Sequence, residues 1–467
     1  MVRTRIAPSP TGEFHIGGLR TLLYNWAYAR KNDGKFVIRI EDTDRQRYVE
    51  GSEQRLLEVI KDYGLNWDEG PDIGGEYAPY TQSERLAIYK EWAEKLVKED
   101  KAYYCFCTKQ RLEEVRKQQI EKKLQPRYDR HCRNLTTQEV AEKLSDNVAF
   151  VIRLKVPENE EIRFKDEIRG EIVVDSNTLD DQVLIKSDGF PTYHLGVVID
   201  DILMEITHVM RAEEWLPSTP KHVLLYKAFG YPLPAFIHLT DLLNPDGKGK
   251  MSKRYGSVSA RGFLDEGYLP AAMLNFLMLL GWAPSNNQEI FSLAEFVEVF
   301  DIKGLQVKAA AFDKTKLDWM NSQYIMKMTD EEFAKVAIKF VSQDVSDDLL
   351  VQIAPLLKSR INKFSEINEI AGFFFSEPNV DESLFIENYQ KHLAIALEII
   401  TDLENWNLEN LNTKLMDKVK ENNFKTGDFF MDLRVAITGK KFTPPINDSI
   451  IVLGKEKTVA RIKRVLK

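Results

Sequence analysis

The segment APSPTGEFHIGG, residues 7–18, brings a histidine and two glycines to the start of a predicted helix. A helix N-terminus offers unpaired amides and a partial positive charge, and glycine lets a phosphate approach the backbone closely. His15 can donate a hydrogen bond to a phosphate oxygen there, with Gly17 and Gly18 beside it. By itself this segment also fits a surface loop, so it does not assign a function alone.

The loop NPDGKGKMSKRYGS, residues 244–257, is the second candidate for chemistry. It carries three lysines and an arginine among its glycines. A flexible cationic loop of this kind can close over a polyphosphate and meet the charge that develops as pyrophosphate leaves. A solvated basic turn would have the same composition. Only the combination of this loop with the first segment indicates nucleotide chemistry.

The elements around the first segment predict a βαβ unit. Residues 2–6 have β-forming character, and the pattern from Gly17 to Arg30 has helical spacing. A turn at residues 33–34 leads to a buried-type strand, residues 36–40, which ends at Glu41. This order predicts an α/β fold with a parallel, doubly wound sheet of the Rossmann type, and an active crevice at the carboxyl ends of its strands.

Changes in composition and periodicity along the sequence divide the chain into five predicted regions. Residues 104–187 alternate short strands with a charged helix and predict an inserted α+β module, whereas residues 271–281 and 329–364 have helical character. A Thr-Asp-Glu-Glu capping box begins the last region at Thr329. The predicted regions are residues 1–103, the inserted module (104–187), residues 188–257, which return to the α/β pattern of the first region, residues 258–328, and an all-α C-terminal region (329–467).

Composition narrows the classes of protein that fit. The chain has 467 residues, 43% of them hydrophobic and 29% charged, which is ordinary for a globular protein. It has no apolar run of signal-peptide or membrane-helix length, so no membrane partner is expected. Three cysteines cannot form a disulfide framework, and a cytoplasmic location is therefore expected.

The charge is distributed unevenly. The whole chain carries a net charge of −8, yet residues 414–467 contain 13 Lys and Arg against 6 Asp and Glu. A basic end on an acidic enzyme suits a polyanion that docks at that end. A solvated, lysine-rich helix face explains the same numbers equally well.

The two motifs together resemble a known family. PSPTG-x-x-HIGG, followed about 235 residues later by KMSKR, is similar to the class I aminoacyl-tRNA synthetases. The stretches RTRIAPSPTG, VIRIEDTDRQR, GFPTYHL and VMRAEEWLPSTPKH resemble the bacterial glutamyl-tRNA synthetases in particular. The second histidine of the general His-Ile-Gly-His motif is Gly18 here, as is common in the glutamyl branch.

The resemblance implies a pocket for L-glutamate. Glutamate carries two carboxylates and one ammonium, so its pocket needs two cations and one anion, with arginine favoured for bidentate pairing. The resemblance assigns Arg5 and Arg211 as the cations and Glu41 as the anion. Which arginine holds the side-chain carboxylate stays open. The other glutamate-binding residues that it implies are Ala7, Ser9, Tyr193 and Trp215.

The resemblance also implies the reaction. The α-carboxylate of glutamate attacks the α-phosphate of ATP, which gives glutamyl-adenylate and pyrophosphate, and the glutamyl group then passes to the tRNA as AMP leaves. The implied catalytic residues are His15 and Lys253, which neutralise phosphate charge together with a Mg²⁺ ion bound to ATP. The implied ATP-binding residues are Pro8, Ser9, His15, Gly17, Gly18, Glu214, Lys250, Met251, Ser252, Lys253 and Arg254.

The three cysteines leave a metal site open. Cys105 and Cys107 lie in the inserted module, and Cys132 follows within the same region. Some members of the family bind structural zinc here through Cys-x-Cys and a later Cys-x-His. In this chain the last position is Asn134, which is not an ordinary zinc ligand, and the nearby substitutes are His131 and Tyr128. Three unliganded thiols are the alternative.

Arg360, in IAPLLKSRINKF, is the implied tRNA-binding residue. It matches the position at which glutamyl enzymes that exclude tRNA-Gln carry arginine, and it predicts tRNA-Glu as the partner. The two anticodons differ at the third base, cytosine against guanine. Cytosine presents the acceptors N3 and O2 to a donor-only guanidinium, whereas guanine presents donors. The resemblance also implies a monomer.

Four other functions compete with this interpretation. Glutaminyl-tRNA synthetase has a related catalytic domain, but its anticodon-binding region is built of β-barrels, whereas residues 329–467 have helical periodicity. A shortened paralogue that glutamylates a modified tRNA base ends near the catalytic domain. A pantothenate-activating ligase or a non-catalytic tRNA-binding module shares at most the phosphate motifs, and neither accounts for Arg5, Glu41 and Arg211 together.

Overall fold

The chain opens with the predicted strand, helix and strand. In this computed structural model, which describes residues 1–252, 258–284 and 286–467, they are β1 (Arg3–Ile6), α1 (Ile16–Lys31) and β2 (Lys35–Ile38). β1 and β2 are parallel. The apolar residues of α1 are fully buried and the helix packs against both strands. A short parallel pair needs such a crossover helix, so the βαβ prediction is confirmed.

Two compact units divide the chain. Unit 1 comprises Met1–Gly262 and Leu274–Phe312, and unit 2 comprises Phe263–Met273 and Asp313–Lys467. The remaining helices and strands up to residue 312 are α2 (Ser52–Asp62), α3 (Leu86–Lys98), β3 (Ala102–Cys105), α4 (Lys109–Glu121), α5 (Thr137–Ser145), β4 (Val151–Leu154), β5 (Glu161–Asp166), β6 (Gly170–Asp175), β7 (Val183–Ile185), α6 (Tyr193–Leu203), β8 (His208–Ala212), α7 (Thr219–Phe229), β9 (Ala235–Leu239), β10 (Leu242–Leu243), α8 (Ala260–Asp265), α9 (Pro270–Met278), α10 (Leu293–Val299) and β11 (Ala310–Ala311).

The largest sheet is mixed rather than wholly parallel as predicted. Its strand order is β6-β5-β9-β8, in which β8 and β9 are parallel but β5 and β6 are antiparallel. The reason is the tight turn between β5 and β6, which only an antiparallel pair can have. Asp166 stabilises that turn by accepting hydrogen bonds from the amides of Ile168 and Arg169. A separate sheet, β3-β4-β7, is antiparallel throughout.

Unit 2 is helical in the part of the chain that the structure describes beyond residue 313. Its helices are α11 (Lys314–Lys327), α12 (Asp330–Ala337), α13 (Asp347–Leu357), α14 (Ile367–Phe375), α15 (Tyr389–Thr401), α16 (Leu408–Glu421), α17 (Thr426–Thr438), α18 (Ile446–Leu453) and α19 (Lys455–Val465). They surround one apolar core. The capping box at Thr329 is confirmed, because its side chain and that of Glu332 bond reciprocally to each other's backbone amides.

The predicted helical period from Leu349 to Phe364 is interrupted. α13 ends at Leu357, although Phe364 is buried in the same core. The backbone beyond α13 takes other partners, since the Asn362 carbonyl accepts a hydrogen bond from Asn321 and the Phe364 amide donates to the Gly267 carbonyl. Among the described residues, none of the helices is both long and apolar enough to cross a membrane.

Gly267 is a position of unit 2 where a side chain would be poorly tolerated. Its φ is +86°, and a Cβ atom there would lie 2.7 Å from the backbone nitrogens of Phe364 and Ser365. We expect Gly267→Ala to cost at least about 1–2 kcal/mol of unfolding free energy from the left-handed backbone alone. Differential scanning calorimetry would detect this loss as a lower Tm.

The matched control is Gly372→Ala, in the interior of α14, where a Cβ would meet nothing within 4 Å. This substitution should be neutral or stabilise by up to about 1 kcal/mol, because alanine favours a helix. Equal Tm values for the two variants would contradict the proposed close approach at Gly267.

Candidate active site

A cavity of about 910 Å³ lies in unit 1, where the carboxyl ends of β1, β2 and β8 meet. This is the edge that the sequence predicts for an active crevice, and the volume suits a small-molecule site. Most of the predicted binding residues line it together, namely Arg5, Ala7, Pro8, Ser9, His15, Gly17, Gly18, Glu41, Tyr193, Arg211, Glu214, Trp215 and Lys250.

His15 caps α1 with its own side chain. Its Nδ1 accepts a hydrogen bond of 2.9 Å from the Gly17 amide, so in the neutral ring the proton is on Nε2. The Ile16 amide donates to the Val258 carbonyl. The first amides of the helix are therefore already paired, which differs from the prediction that they are unpaired. The helix end offers an anion its partial charge and the glycine backbone of Gly18.

Lys250 is neutralised in this structure. Its Nζ lies 2.6 Å from a carboxylate oxygen of Glu214 and 3.1 Å from one of Asp241. The next two residues are anchored through their amides, since Met251 donates to the Leu242 carbonyl and Ser252 donates to the Asn244 side chain. Lys253 and Arg254, the remainder of the predicted phosphate loop, lie outside the described residues.

Beneath the cavity, Arg5 is held by an acidic residue that the sequence analysis did not select. Its Nε and Nη2 donate to the two carboxylate oxygens of Asp201, at 3.1 and 3.2 Å. Arg39 contacts the same carboxylate at 2.8 Å and also donates to Glu41 at 3.0 Å. All four side chains are buried. The positions of Arg5 and Glu41 are thus fixed through a shared ion-pair network.

A second carboxylate completes the network. Asp200 accepts from Arg85 at 2.8 Å, and its other oxygen lies 3.6 Å from Nε of Arg39. Asp200 and Asp201 interrupt the apolar sequence YHLGVVIDDIL of α6, where both are buried. Two acidic residues on the buried face of an apolar helix were an available signal, because buried carboxylates require cationic partners.

Glu41 has an unusual ionisation. Burial raises the pKa of Glu41 to about 7, in spite of the opposing contact with Arg39. The opposite holds for Asp201, since Arg5 and Arg39 outweigh its burial and lower its pKa. The charge of Glu41 therefore depends on conditions near neutrality.

Arg211 has only neutral partners. Its Nε donates to His238 at 3.0 Å and its Nη2 to Thr219 at 2.9 Å, while Nη1 lies 3.1 Å from His222 and 3.3 Å from the Tyr193 hydroxyl. Within the described part of the chain, no carboxylate forms an ion pair with this buried guanidinium. Burial lowers the pKa of Arg211, but its charge remains.

An aromatic pair forms another wall. The rings of Tyr193 and Trp215 are 4.1 Å apart and tilted by 33°. Tyr193 is the first residue of α6, and Trp215 follows β8. The arrangement presents a flat apolar surface beside two cations and one titratable carboxylate. It can hold a small zwitterion that carries extra negative charge, next to an anion at the N-terminus of α1.

Two other predicted sites lie outside this cavity. The sulfur atoms of Cys105, Cys107 and Cys132 lie within 4.8 Å of one another. The Tyr128 hydroxyl joins them, 3.2 Å from the Cys105 sulfur and 3.5 Å from the Cys107 sulfur. His131 and Asn134 are exposed instead. Arg360 belongs to unit 2 and is exposed just after α13.

Two family models match the chain. The model described as tRNA synthetases class I (E and Q), catalytic domain, matches residues 1–319. The model described as an anticodon binding domain matches residues 332–466, the helical part of the chain. The first match contains every residue that lines the cavity, and the second contains Arg360.

Relatives match over their full length. Glutamate–tRNA ligases of Dehalococcoides mccartyi and Clostridium tetani are each 44% identical over 99% of this chain, which corresponds to 97% and 96% of those proteins. A crystal structure of a glutamate tRNA ligase from Elizabethkingia meningosepticum in complex with its amino acid superposes with a TM-score of 0.92, at 38% identity, over 100% of this chain and 99% of that one. The chain therefore belongs to the glutamate–tRNA ligase family of class I tRNA synthetases.

Proposed function

We propose that this protein attaches L-glutamate to tRNA-Glu in an ATP-dependent reaction that proceeds through glutamyl-adenylate and releases AMP and pyrophosphate. The carrying observation is the buried guanidinium of Arg211, whose partners among the described residues are all neutral and which lies in a cavity that also contains Glu41. L-glutamate has a net charge of about −1 at neutral pH, and it balances this uncompensated cation. The names of the full-length relatives support the same substrate.

Each charged group of the glutamate substrate is assigned to a different residue of the cavity. Arg211 is assigned to one glutamate carboxylate, because its charge is balanced by no protein carboxylate within the described residues. Arg5 retains Nη1 for the other, since its Nε and Nη2 are used on Asp201. Glu41 is assigned to the α-ammonium. Ala7, Ser9, Tyr193 and Trp215 line the remaining surface.

Catalysis depends on positioning and on neutralising phosphate charge. The α-carboxylate of glutamate attacks the α-phosphate of ATP in line, with no covalent bond to the enzyme. His15 presents Nε2–H to the phosphates, since Nδ1 is used on the Gly17 amide. Lys250 has to leave Glu214 and Asp241 to contact a phosphate. Lys253 is assigned to the departing pyrophosphate, and Mg²⁺ enters as part of the ATP substrate.

The regions of the chain are assigned accordingly. We assign residues 104–187 to the acceptor stem of the tRNA, residues 258–328 to stem contacts, and residues 329–467 to the anticodon. The last assignment is supported by the anticodon binding domain match at residues 332–466. The three free thiols agree with a cytoplasmic enzyme. We further assign a monomer, as the family resemblance implies.

We also propose that the cysteine cluster holds structural zinc. Zinc with Zn–S bonds of about 2.3 Å requires ligand atoms within roughly 4 Å of each other. The Cys107 and Cys132 sulfurs are 3.5 Å apart, and the Tyr128 hydroxyl, 3.5 Å from the Cys107 sulfur, is the candidate for a fourth ligand. Arg111 donates to the Cys107 sulfur at 3.4 Å, which favours an anionic cluster. The residues present therefore fit the ion, with Tyr128 in place of the exposed Asn134.

Affinity for glutamate should depend on pH through Glu41. Its pKa of about 7 means that the carboxylate is lost as pH falls through this value, and with it the partner of the substrate ammonium. We expect kcat/KM for glutamate to fall by up to about tenfold per pH unit below pH 7. Measurement by tRNA-dependent pyrophosphate exchange at saturating ATP would reveal this limb.

Glu41→Gln provides the control for that profile. The variant should bind glutamate more weakly than the wild type above pH 7, and it should lack the acidic limb, because glutamine does not titrate. ATP titrates identically in both proteins, so the difference between the profiles isolates Glu41. An acidic limb of unchanged shape in the variant would exclude Glu41 as its source.

Metal analysis tests the zinc site. Protein purified without chelator should contain about one zinc ion per chain, and Cys107→Ser should lose it together with thermal stability. Tyr128→Phe keeps all three sulfurs and should retain zinc more weakly. If the wild-type protein contained no metal and had normal stability, the zinc site would be rejected and the three cysteines would be ordinary thiols.

Aminoacylation tests the function and the assignment of Arg360. The wild-type protein should charge tRNA-Glu with L-glutamate, only with ATP present, and should leave tRNA-Gln uncharged. Arg360→Gln should relax the tRNA preference, since glutamine offers both a donor and an acceptor to the third anticodon base, at a cost of roughly 1–3 kcal/mol in discrimination. Its KM for ATP should not change.

Arg434→Gln is the control variant, because Arg434 is a neighbour of Arg360. Both substitutions remove one positive charge from the same part of the surface. Arg434→Gln should weaken tRNA binding without relaxing the preference. Absence of glutamate transfer to any tRNA would reject the proposed function. Equal charging of tRNA-Glu and tRNA-Gln by the wild type would reject only the role of Arg360.

A further inference from the structure

Three polar residues meet on neighbouring strands behind the cavity. Arg211 on β8 and His238 on β9 are direct partners in the strand register. Asp166 ends β5, the strand on the other side of β9. Asp166 and His238 are fully buried, and Arg211 is 6% exposed. Of these three residues, the sequence indicated only Arg211.

The hydrogen bonds determine where the protons lie. Burial would raise the pKa of Asp166, but hydrogen bonds from His238 and from backbone amides lower it, so the carboxylate is ionised. It lies 2.7 Å from Nδ1 of His238, which must therefore donate. Burial lowers the pKa of His238, so the ring is neutral and its Nε2 is an acceptor for Nε–H of Arg211.

On the opposite side of the guanidinium, the hydrogen bonds likewise determine where the protons lie. Nδ1 of His222 accepts from Arg211, so its Nε2 donates to Nδ1 of His194 at 3.0 Å. The Thr219 hydroxyl accepts from Nη2 of Arg211 and donates to the Trp215 carbonyl at 3.2 Å. Four of the five guanidinium N–H groups thus have neutral protein acceptors when the Tyr193 hydroxyl is included.

We propose that Asp166 and His238 are positioning residues that orient the Arg211 guanidinium for a substrate carboxylate while leaving its charge uncompensated. A carboxylate in direct contact would orient the arginine equally well, as Asp201 does for Arg5, but it would also neutralise the charge. Because a neutral imidazole lies between Asp166 and Arg211, the guanidinium is oriented without its charge being neutralised by direct contact. This inference rests on the proposed function, since it requires that glutamate binds at Arg211.

The hairpin of β5 and β6 supports the pair. Arg169, in its turn, donates to the His238 carbonyl and to Glu213. Both oxygens of Asp166 accept only from N–H groups, those of Ile168, Arg169 and His238. An asparagine at 166 would therefore direct its NH₂ group at a donor in either orientation. When that donor is His238, its Nδ1 has to become the acceptor, which places the ring proton on Nε2, against Arg211.

The experiment compares KM values in tRNA-dependent pyrophosphate exchange. Asp166→Asn and His238→Met should each raise KM for glutamate by roughly tenfold or more, because Arg211 loses its fixed orientation. KM for ATP should stay unchanged, whereas a general distortion of the cavity would change both KM values, and a loss of folded protein would lower only the maximal rate. His238→Gln keeps a side-chain acceptor for Arg211 and should recover most of the affinity for glutamate.

The double variant Asp166→Asn/His238→Met keeps a side-chain oxygen at position 166 for the turn amides of Ile168 and Arg169, and it leaves no imidazole N–H facing the new NH₂ group. It should show the same rise in KM for glutamate as His238→Met alone. An unchanged KM for glutamate in folded variants, or parallel increases for glutamate and ATP, would overturn the positioning role. Wild-type protein without glutamate-dependent exchange would instead reject the proposed function, and the inference with it.

Discussion

Buried charges beneath the cavity must be paired, and this requirement fixes the position of the candidate site. Breaking one such pair costs about 3–5 kcal/mol, because the remaining charge is left without a partner. The arginines lie on β1, after β2 and before α3, whereas two of the carboxylates lie on α6. Each ion pair to Asp200 or Asp201 therefore joins segments far apart in the sequence, and β1, β2 and α6 are located together. The residues concerned are Arg5, Arg39, Arg85, Glu41, Asp200 and Asp201.

The two candidate glutamate-binding arginines are held in different ways, and the difference has an electrostatic consequence. Arg5 donates to Asp201, so its charge is balanced before any ligand arrives. Arg211 is held by histidine and hydroxyl groups, so its charge is not balanced by a direct partner. An anionic ligand gains most beside the second arginine, because the low dielectric of the cavity strengthens that attraction. At Arg211, neutral protein groups therefore fix the position of the guanidinium, and the ligand balances its charge.

Local signals in the sequence were sufficient for much of the fold, whereas the family resemblance indicated the residues that line the cavity. The βαβ unit and the capping box at Thr329 depend on neighbouring residues, and both are confirmed. Contacts between residues that are far apart in the sequence could not be predicted from such local signals. Asp201 lies 196 residues from Arg5, and no periodicity connects them. The end of α13 at Leu357 depends on side chains and carbonyls of distant segments, so helical spacing overestimated that helix.

The strand register explains why Arg211 and His238 can act as a pair at all. Side chains alternate between the two faces of a strand, so a slip of one residue would turn one of the two away from the other. Their register is fixed by buried apolar neighbours, since Val209 pairs with Phe236 and Met210 with Ile237 in the same ladder. Apolar packing of β8 and β9 thus determines which imidazole faces the guanidinium. The hydrophobic core and the polar site consequently depend on one and the same alignment of strands.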